Sequence, residues 1–147
     1  MSGRIRVAIV ITRLDLGGAQ EVALETAARL DPARFDVVLL AGPGGQLDAE
    51  AKRRLGPRFV PAPSLVHPVR PLQDLAAFFW LWAYLRRAGI QVLHTHSSKA
   101  GLLGRAAGLL AGVPTRLHTV HGWSFNDFQG ALGFRALVAL ERWLARL

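Results

Sequence analysis

Strand-like runs that are apolar on both faces, each followed by a helix-like stretch, constrain this chain more than any other feature. Residues 5–12, IRVAIVIT, are rich in β-branched side chains and have no polar face. Such a strand belongs in the middle of a sheet covered on both sides, which is the setting of parallel sheets. Residues 35–41, FDVVLLA, repeat the pattern. Shorter strand-like runs follow at 58–60, at 91–93 (continuing into His94-Thr95-His96) and at 115–120. Between them, residues 19–30 place Ala19, Val22, Ala23, Ala27 and Leu30 on one helical stripe. Further helices are predicted over 47–55, from Leu72 to Ala88, over 99–111 and over 134–147. Asp31-Pro32, Gly42-Pro43-Gly44-Gly45 and Gly112-Val113-Pro114 separate these elements, and four prolines between Pro61 and Pro71 mark an irregular connection. Residues 124–130 read as a polar loop. The β-α order predicts an α/β fold: a single domain built on a Rossmann-like, doubly wound parallel sheet with right-handed crossovers.

Composition narrows the class. The 147 residues suit one domain, and a hydrophobic share of 51% against 19% charged is enough for a sizeable core. There is no cysteine, which removes disulfides, thiolate ligands and thiol nucleophiles. The formal charge of +8 favours anionic partners such as phosphorylated ligands or acidic lipid. No nucleic-acid recognition motif accompanies that charge, so nucleic acid is not expected as a partner. No secretion signal is read at the start of the chain. The longest unbroken apolar run has eleven residues, 75–85, where a spanning helix needs about 20.

The chemistry gathers at strand ends. After the strand ending in His94-Thr95-His96, Ser97 and Ser98 can each cap a helix through a hydroxyl. Lys99 opens that helix, and Ala100, Gly101, Gly104, Ala107 and Gly108 recur along it. Helical glycine costs about 1 kcal/mol against alanine, so the cluster predicts close packing on a sheet. Helix N-termini attract anions, and ligands of parallel sheets sit at the carboxyl ends of strands. The plainer reading has the serines only capping and Lys99 solvated. Loops 13–18, 94–99 and 121–123 all follow strands on one side, so they should converge on one crevice. Gly17-Gly18 lacks the G-x-G-x-x-G dinucleotide fingerprint, and no P-loop is present. Adjacent glycines at a helix start either let backbone N–H groups approach a diphosphate or form a plain tight turn. His121 could hydrogen-bond a sugar hydroxyl, move a proton, or serve only its own loop. His94 and His96 share one strand parity, with His94 expected inward and His96 nearer the open end. His94, His96 and His121 could hold zinc, but no carboxylate accompanies them in sequence, and neither a metal nor another cofactor is expected. A G-x-S-x-G elbow is absent, which disfavours an α/β-hydrolase.

Taken together, RLDLGGAQEVALETA (13–27), VLHTHSSKAGLLGRAAGLLAGVP (92–114) and HTVHGWSF (118–125) resemble the N-terminal domain of glycosyltransferase family 4, the retaining GT-B enzymes. The resemblance implies a half-enzyme over residues 1–147 that holds the acceptor. A second Rossmann-like domain, with the family's E-x7-E glutamates, would hold the nucleotide-sugar, and this chain does not include it. By resemblance, Gly17 and Gly18 touch the donor diphosphate, and His121 contacts the donor sugar near the reacting carbon. Arg13, His96, Ser97, Ser98 and Lys99 form the acceptor side. The partners implied are a nucleotide-sugar, brought by the other half, and a hydroxyl or lipid-linked acceptor. Alone, the chain is expected to transfer no sugar. The competing reading is a non-catalytic module that uses the same crevice for a ligand or partner.

The stretch from Leu72 to Ala88 spreads Phe78, Phe79, Trp80, Trp82 and Tyr84 around a helix ending in Arg86-Arg87. Helices of that kind can lie on a membrane surface. The expected location is cytoplasmic, peripheral at the inner face of the plasma membrane.

Overall fold

The computed structural model describes residues 3–122 and 131–146. The loop foreseen at 124–130 and Trp123 of the third strand-end loop lie outside these residues. Five strands, β1 (Ile5–Arg13), β2 (Phe35–Gly42), β3 (Phe59–Pro61), β4 (Val92–His96) and β5 (Thr115–Thr119), form one sheet in the order β3-β2-β1-β4-β5. Every pairing is parallel. The helices are α1 (Gly18–Arg29), α2 (Asp48–Leu55), α3 (Pro71–Arg87), α4 (Ser98–Leu110) and α5 (Ala131–Leu144). This is the doubly wound α/β arrangement that the β-α order predicts. The third strand begins one residue late because Gly56–Arg58 first close a single 3-10 turn.

The burial of β1 explains why it has no polar face. Val7, Ile9 and Ile11 join Ala23, Leu24 and Ala27 of α1 and Ala51 and Leu55 of α2 in one core. Ala8 and Val10 point the other way, into a second core with Ala77, Leu81 and Leu85 of α3 and Ala100 and Ala107 of α4. Strand alternation thus feeds two apolar layers from a single run. Burying each large aliphatic side chain contributes about 1.5–3 kcal/mol.

The glycines of α4 do what their spacing predicts. A Cβ on Gly101 would lie 2.5 Å from His118 Cε1, one on Gly104 2.7 Å from Thr95 Cγ2, and one on Gly108 2.6 Å from Leu93 Cδ2. No side chain fits between this helix and β4/β5, so α4 rides directly on the sheet.

Helix α3 places Ala77, Leu81 and Leu85 in the core at helical spacing. Trp80 and Tyr84 stack on its flank at 5.3 Å. Its outer face is apolar and open: Leu72 is 85% exposed, and Leu75 and Phe79 are both 53% exposed. No helix among the described residues is long and apolar enough to cross a membrane.

Candidate functional site

Strand order reverses between β1 and β4, since the chain runs outward from β1 to β3 and then returns to build β4 and β5 on the other side. Helices that follow neighbouring strands diverge at such a switch point and leave a crevice beyond the strand ends. A cavity of about 750 Å³ occupies this place. Its wall takes Thr12 from the end of β1, Ala19 from the start of α1, Ser97 to Lys99 from the start of α4, and His118 to Gly122 from β5 and its exit. The connection before α3 adds His67 and Val69, and α5 adds Leu140 and Glu141. The loops after β1, β4 and β5 therefore meet on one rim, as their common direction requires.

Ser97 joins two of those loops. It holds φ 65° and ψ 150°, a backbone region that side-chain-bearing residues rarely adopt. Such a conformation costs of order 1–3 kcal/mol. Its hydroxyl accepts from Thr12 N–H at 3.3 Å and shares a hydrogen bond with Thr12 Oγ1 at 2.7 Å. Ser97 occupies the N-cap position of α4 yet makes no side-chain capping bond there. The capping expectation is corrected for this residue: its hydroxyl is committed to lacing β4 to β1. Thr12, 3% exposed, was not singled out from the sequence. Its position as a polar residue at the end of an otherwise apolar strand was the available signal.

Lys99 is not a solvated cation. Its Nζ donates to Asp74 Oδ1 at 2.6 Å and to the Pro68 carbonyl at 2.5 Å, and only 14% of its side chain is exposed. Asp74 Oδ2 also accepts from the Arg70 N–H at 3.0 Å. The pair closes the cavity lip between the start of α3 and the start of α4. Arg105, 5% exposed, donates to the Gly101 carbonyl and reaches Glu141 of α5 at 3.5 Å. Lys99 and Arg105 thus each face a carboxylate.

The histidines form a cluster. His96 has 0% exposure. His94 lies against one side of it, ring centroids 4.2 Å apart, and His121 stands on the other, with His96 Nδ1 2.8 Å from His121 Nε2. The expected burial order is reversed: His96 is enclosed and His94 is half-buried. The physical reason is that His96 sits between two imidazoles at the strand's end. Burial pushes the His96 pKa down to about 3, and the neighbouring imidazoles His94, His121 and His118 push the same way. His94 Nε2 is bonded to Thr119 Oγ1 at 2.7 Å, and burial lowers its pKa as well. Two contacts tie the cluster together: His94 Nε2 to Thr119 Oγ1 and His96 Nδ1 to His121 Nε2. No three His, Asp or Glu side chains among the described residues are grouped to hold a metal.

His118, overlooked in the sequence, faces α4 from β5 and bonds Thr95 through Nδ1. Burial is the main cause lowering its pKa. Of the residues singled out from the sequence, Ser97, Ser98, Lys99 and His121 line the cavity. His96 lies beneath it. Arg13 pairs with Asp15 in its own loop at 2.9 Å. Gly17 and Gly18 stand just outside the wall, next to Ala19. A Cβ on Gly18 would meet nothing within 4 Å, so packing does not demand glycine there.

Comparison with known proteins places this architecture. The galactosyltransferase named UDP-Gal:alpha-D-GlcNAc-diphosphoundecaprenol alpha-1,3-galactosyltransferase, from Escherichia coli, is 35% identical over 124 residues. The match covers 84% of this chain and 32% of that protein, so the chain spans about a third of its relative's length. The crystal structure of MurG from Acinetobacter baumannii shares the fold, with a TM-score of 0.67 at 21% identity, over 97% of this chain and 39% of MurG. The model of the glycosyl transferase 4-like domain matches residues 17–147. The chain belongs to the glycosyl transferase 4-like domain family.

Proposed function

We propose that this chain is the acceptor-side half of a retaining GT-B glycosyltransferase, acting on an acceptor carried by a lipid diphosphate. The observation that carries the proposal is the switch-point cavity, where Thr12 from β1, Ser98 and Lys99 from the start of α4, and His121 after β5 face one space. The acceptor in the relative's name, a GlcNAc joined through diphosphate to undecaprenol, supplies the substrate class.

In this reading the nucleotide-sugar is held by a second domain that closes over the cavity. The bond from the anomeric carbon to the donor diphosphate breaks, a bond to the acceptor hydroxyl oxygen forms on the same face of the sugar, and that hydroxyl's proton passes to the leaving diphosphate. Positive character develops at the sugar carbon and negative charge on the leaving diphosphate. Backbone N–H groups at Gly17 and Gly18, at the N-terminus of α1, would stabilise that negative charge. His121 would contact the sugar, and Ser98 and Lys99 the acceptor. Lys99 can take an acceptor phosphate only by exchanging Asp74 for it, which makes the ion pair a competitor at the lip.

A lipid-linked acceptor calls for a membrane surface. The open face of α3, with Leu72, Leu75 and Phe79 beside Arg70, Arg86 and Arg87, is our candidate contact. Apolar groups beside cations suit an acidic lipid interface. The location that goes with it is the cytoplasmic side of that membrane.

The test supplies a donor half, fused or in trans, and measures sugar transfer from nucleotide-sugar to a short-chain polyprenyl-diphosphate acceptor. The isolated chain should show no turnover. With the donor half, His121→Ala should lose about 100-fold in kcat, the scale of one positioned transition-state contact. Full turnover by the isolated chain, or an unchanged His121→Ala variant, would overturn the reading.

A further inference from the structure

His96 has no task in the scheme above, and its surroundings assign it one. The ring is buried, and among the described residues its Nε2 has no hydrogen-bond partner. Its Nδ1 stands 2.8 Å from His121 Nε2. A neutral imidazole carries one N–H and one bare nitrogen. If the proton sat on His96 Nε2, a buried donor would be orphaned, whereas the large majority of buried side-chain polar atoms in folded proteins have a partner. If it sits on Nδ1, the donor is used, and only a lone pair is left without a partner. The buried ring is therefore satisfied best as an Nδ1–H donor to His121.

That choice propagates one residue outward. Nε2 of His121 accepts from His96, so it must be bare, and the single proton of a neutral His121 must be on Nδ1. His121 is exposed and lines the cavity. We propose that His96 is a positioning residue that locks neutral His121 in its Nδ1–H tautomer, so that the site offers its ligand a hydrogen-bond donor and withholds the basic nitrogen. The ligand atom facing His121 is then an oxygen with a free lone pair, on a sugar hydroxyl or a phosphate, and His121 does not act as a general base. This consequence rests on the proposed ligand-facing role of His121; the tautomer itself does not.

The other titratable groups around His96 agree with a neutral donor. His94 packs on its far side and is itself tied to Thr119. His118 faces away across β5, bonded to Thr95, with Arg105 and Glu141 beyond it. None of them supplies an acceptor to His96 Nε2. The lowered pKa of His96 keeps that ring uncharged at neutral pH.

The test is a two-bond ¹H–¹⁵N correlation spectrum of the ¹⁵N-labelled chain at pH 7.5, which reads the protonated nitrogen of each imidazole. His121 should appear as one tautomer, protonated at Nδ1. His96→Phe fills the same space without a donor and should release His121 into exchange between both tautomers. His96→Asn places an amide N–H where Nδ1–H stood and should restore the single tautomer. A wild-type His121 protonated at Nε2 overturns the proposal, as does an Nδ1–H tautomer that survives in a folded His96→Phe. If His96→Phe does not fold, the wild-type and His96→Asn spectra still decide. No donor half or sugar is needed, so failure of the transferase reading and failure of this one are separate results.

Discussion

Acid should unfold this protein through its histidine cluster, and His96 sets the size of the effect. An imidazole in the unfolded chain titrates near 6.5, while in the folded chain the His96 pKa is about 3. Between these values the unfolded state holds a proton on this ring and the folded state does not. Protons therefore favour unfolding as pH falls below 6.5, and the loss stops growing near pH 3. Each pH unit in that window costs about 1.4 kcal/mol for one such group. At pH 5, His96 alone should remove about 2 kcal/mol, a large share of an ordinary stability of roughly 5–15 kcal/mol. His94 and His118 are lowered for the same first cause, burial, and add with the same sign. The assay is urea unfolding followed by tryptophan fluorescence at pH 7.5 and pH 5, on wild type and His96→Asn. The variant cannot take up a proton at this position. Its loss of stability between the two pH values should be smaller than wild type's by about 2 kcal/mol. Equal losses in both proteins would refute the reasoning.

Gly101→Ala should destabilise by about 1–3 kcal/mol, despite alanine's better helix propensity, because the new methyl meets His118; a thermal melt at or above wild type would show that α4 can lift. Gly18→Ala should leave the melt unchanged or slightly raised, since its Cβ meets nothing. If that backbone approaches the donor diphosphate, the same variant should lose transfer in the reconstituted enzyme, and undiminished turnover would count against the diphosphate role. Asp74→Asn should cost about 1–3 kcal/mol, because it leaves the largely buried Lys99 ammonium without its carboxylate; the double variant Asp74→Asn with Lys99→Met should recover part of that loss in a urea titration. In the reconstituted enzyme, His121→Asn, which keeps a donor near the Nδ1 position, should retain more transfer than His121→Gln, and the reverse order would reassign the contacting nitrogen.

Much of this was legible in residues alone, and the reasons are local. The two-faced burial of β1 is written in a run without polar residues, because each neighbour in a doubly covered strand needs an apolar partner. The seating of α4 on the sheet is written in Gly101, Gly104 and Gly108, because their cost in a helix needs a return in packing. The meeting of the strand-end loops followed from parallel direction. What the residues did not disclose was pairwise. Nothing adjacent to Lys99 announces Asp74, twenty-five positions away, and nothing near Ser97 announces Thr12, eighty-five positions away. A serine before a helix looks like a cap whether or not its hydroxyl is needed elsewhere.

The chain's order of apolar, small and turn residues by itself determined an α/β sheet, its strand and helix stations, and the segments that carry polar chemistry. Those are properties of periodicity and propensity, which act over a few residues. Only the tertiary structure decided which strands are neighbours, and hence that the crevice opens between β1 and β4. It alone decided that His96 is enclosed while His121, one strand over, faces the cavity. The physical reason is that desolvation and hydrogen-bond pairing depend on what lies across space, and two histidines of identical chemistry become a buried donor and an open contact through their neighbours.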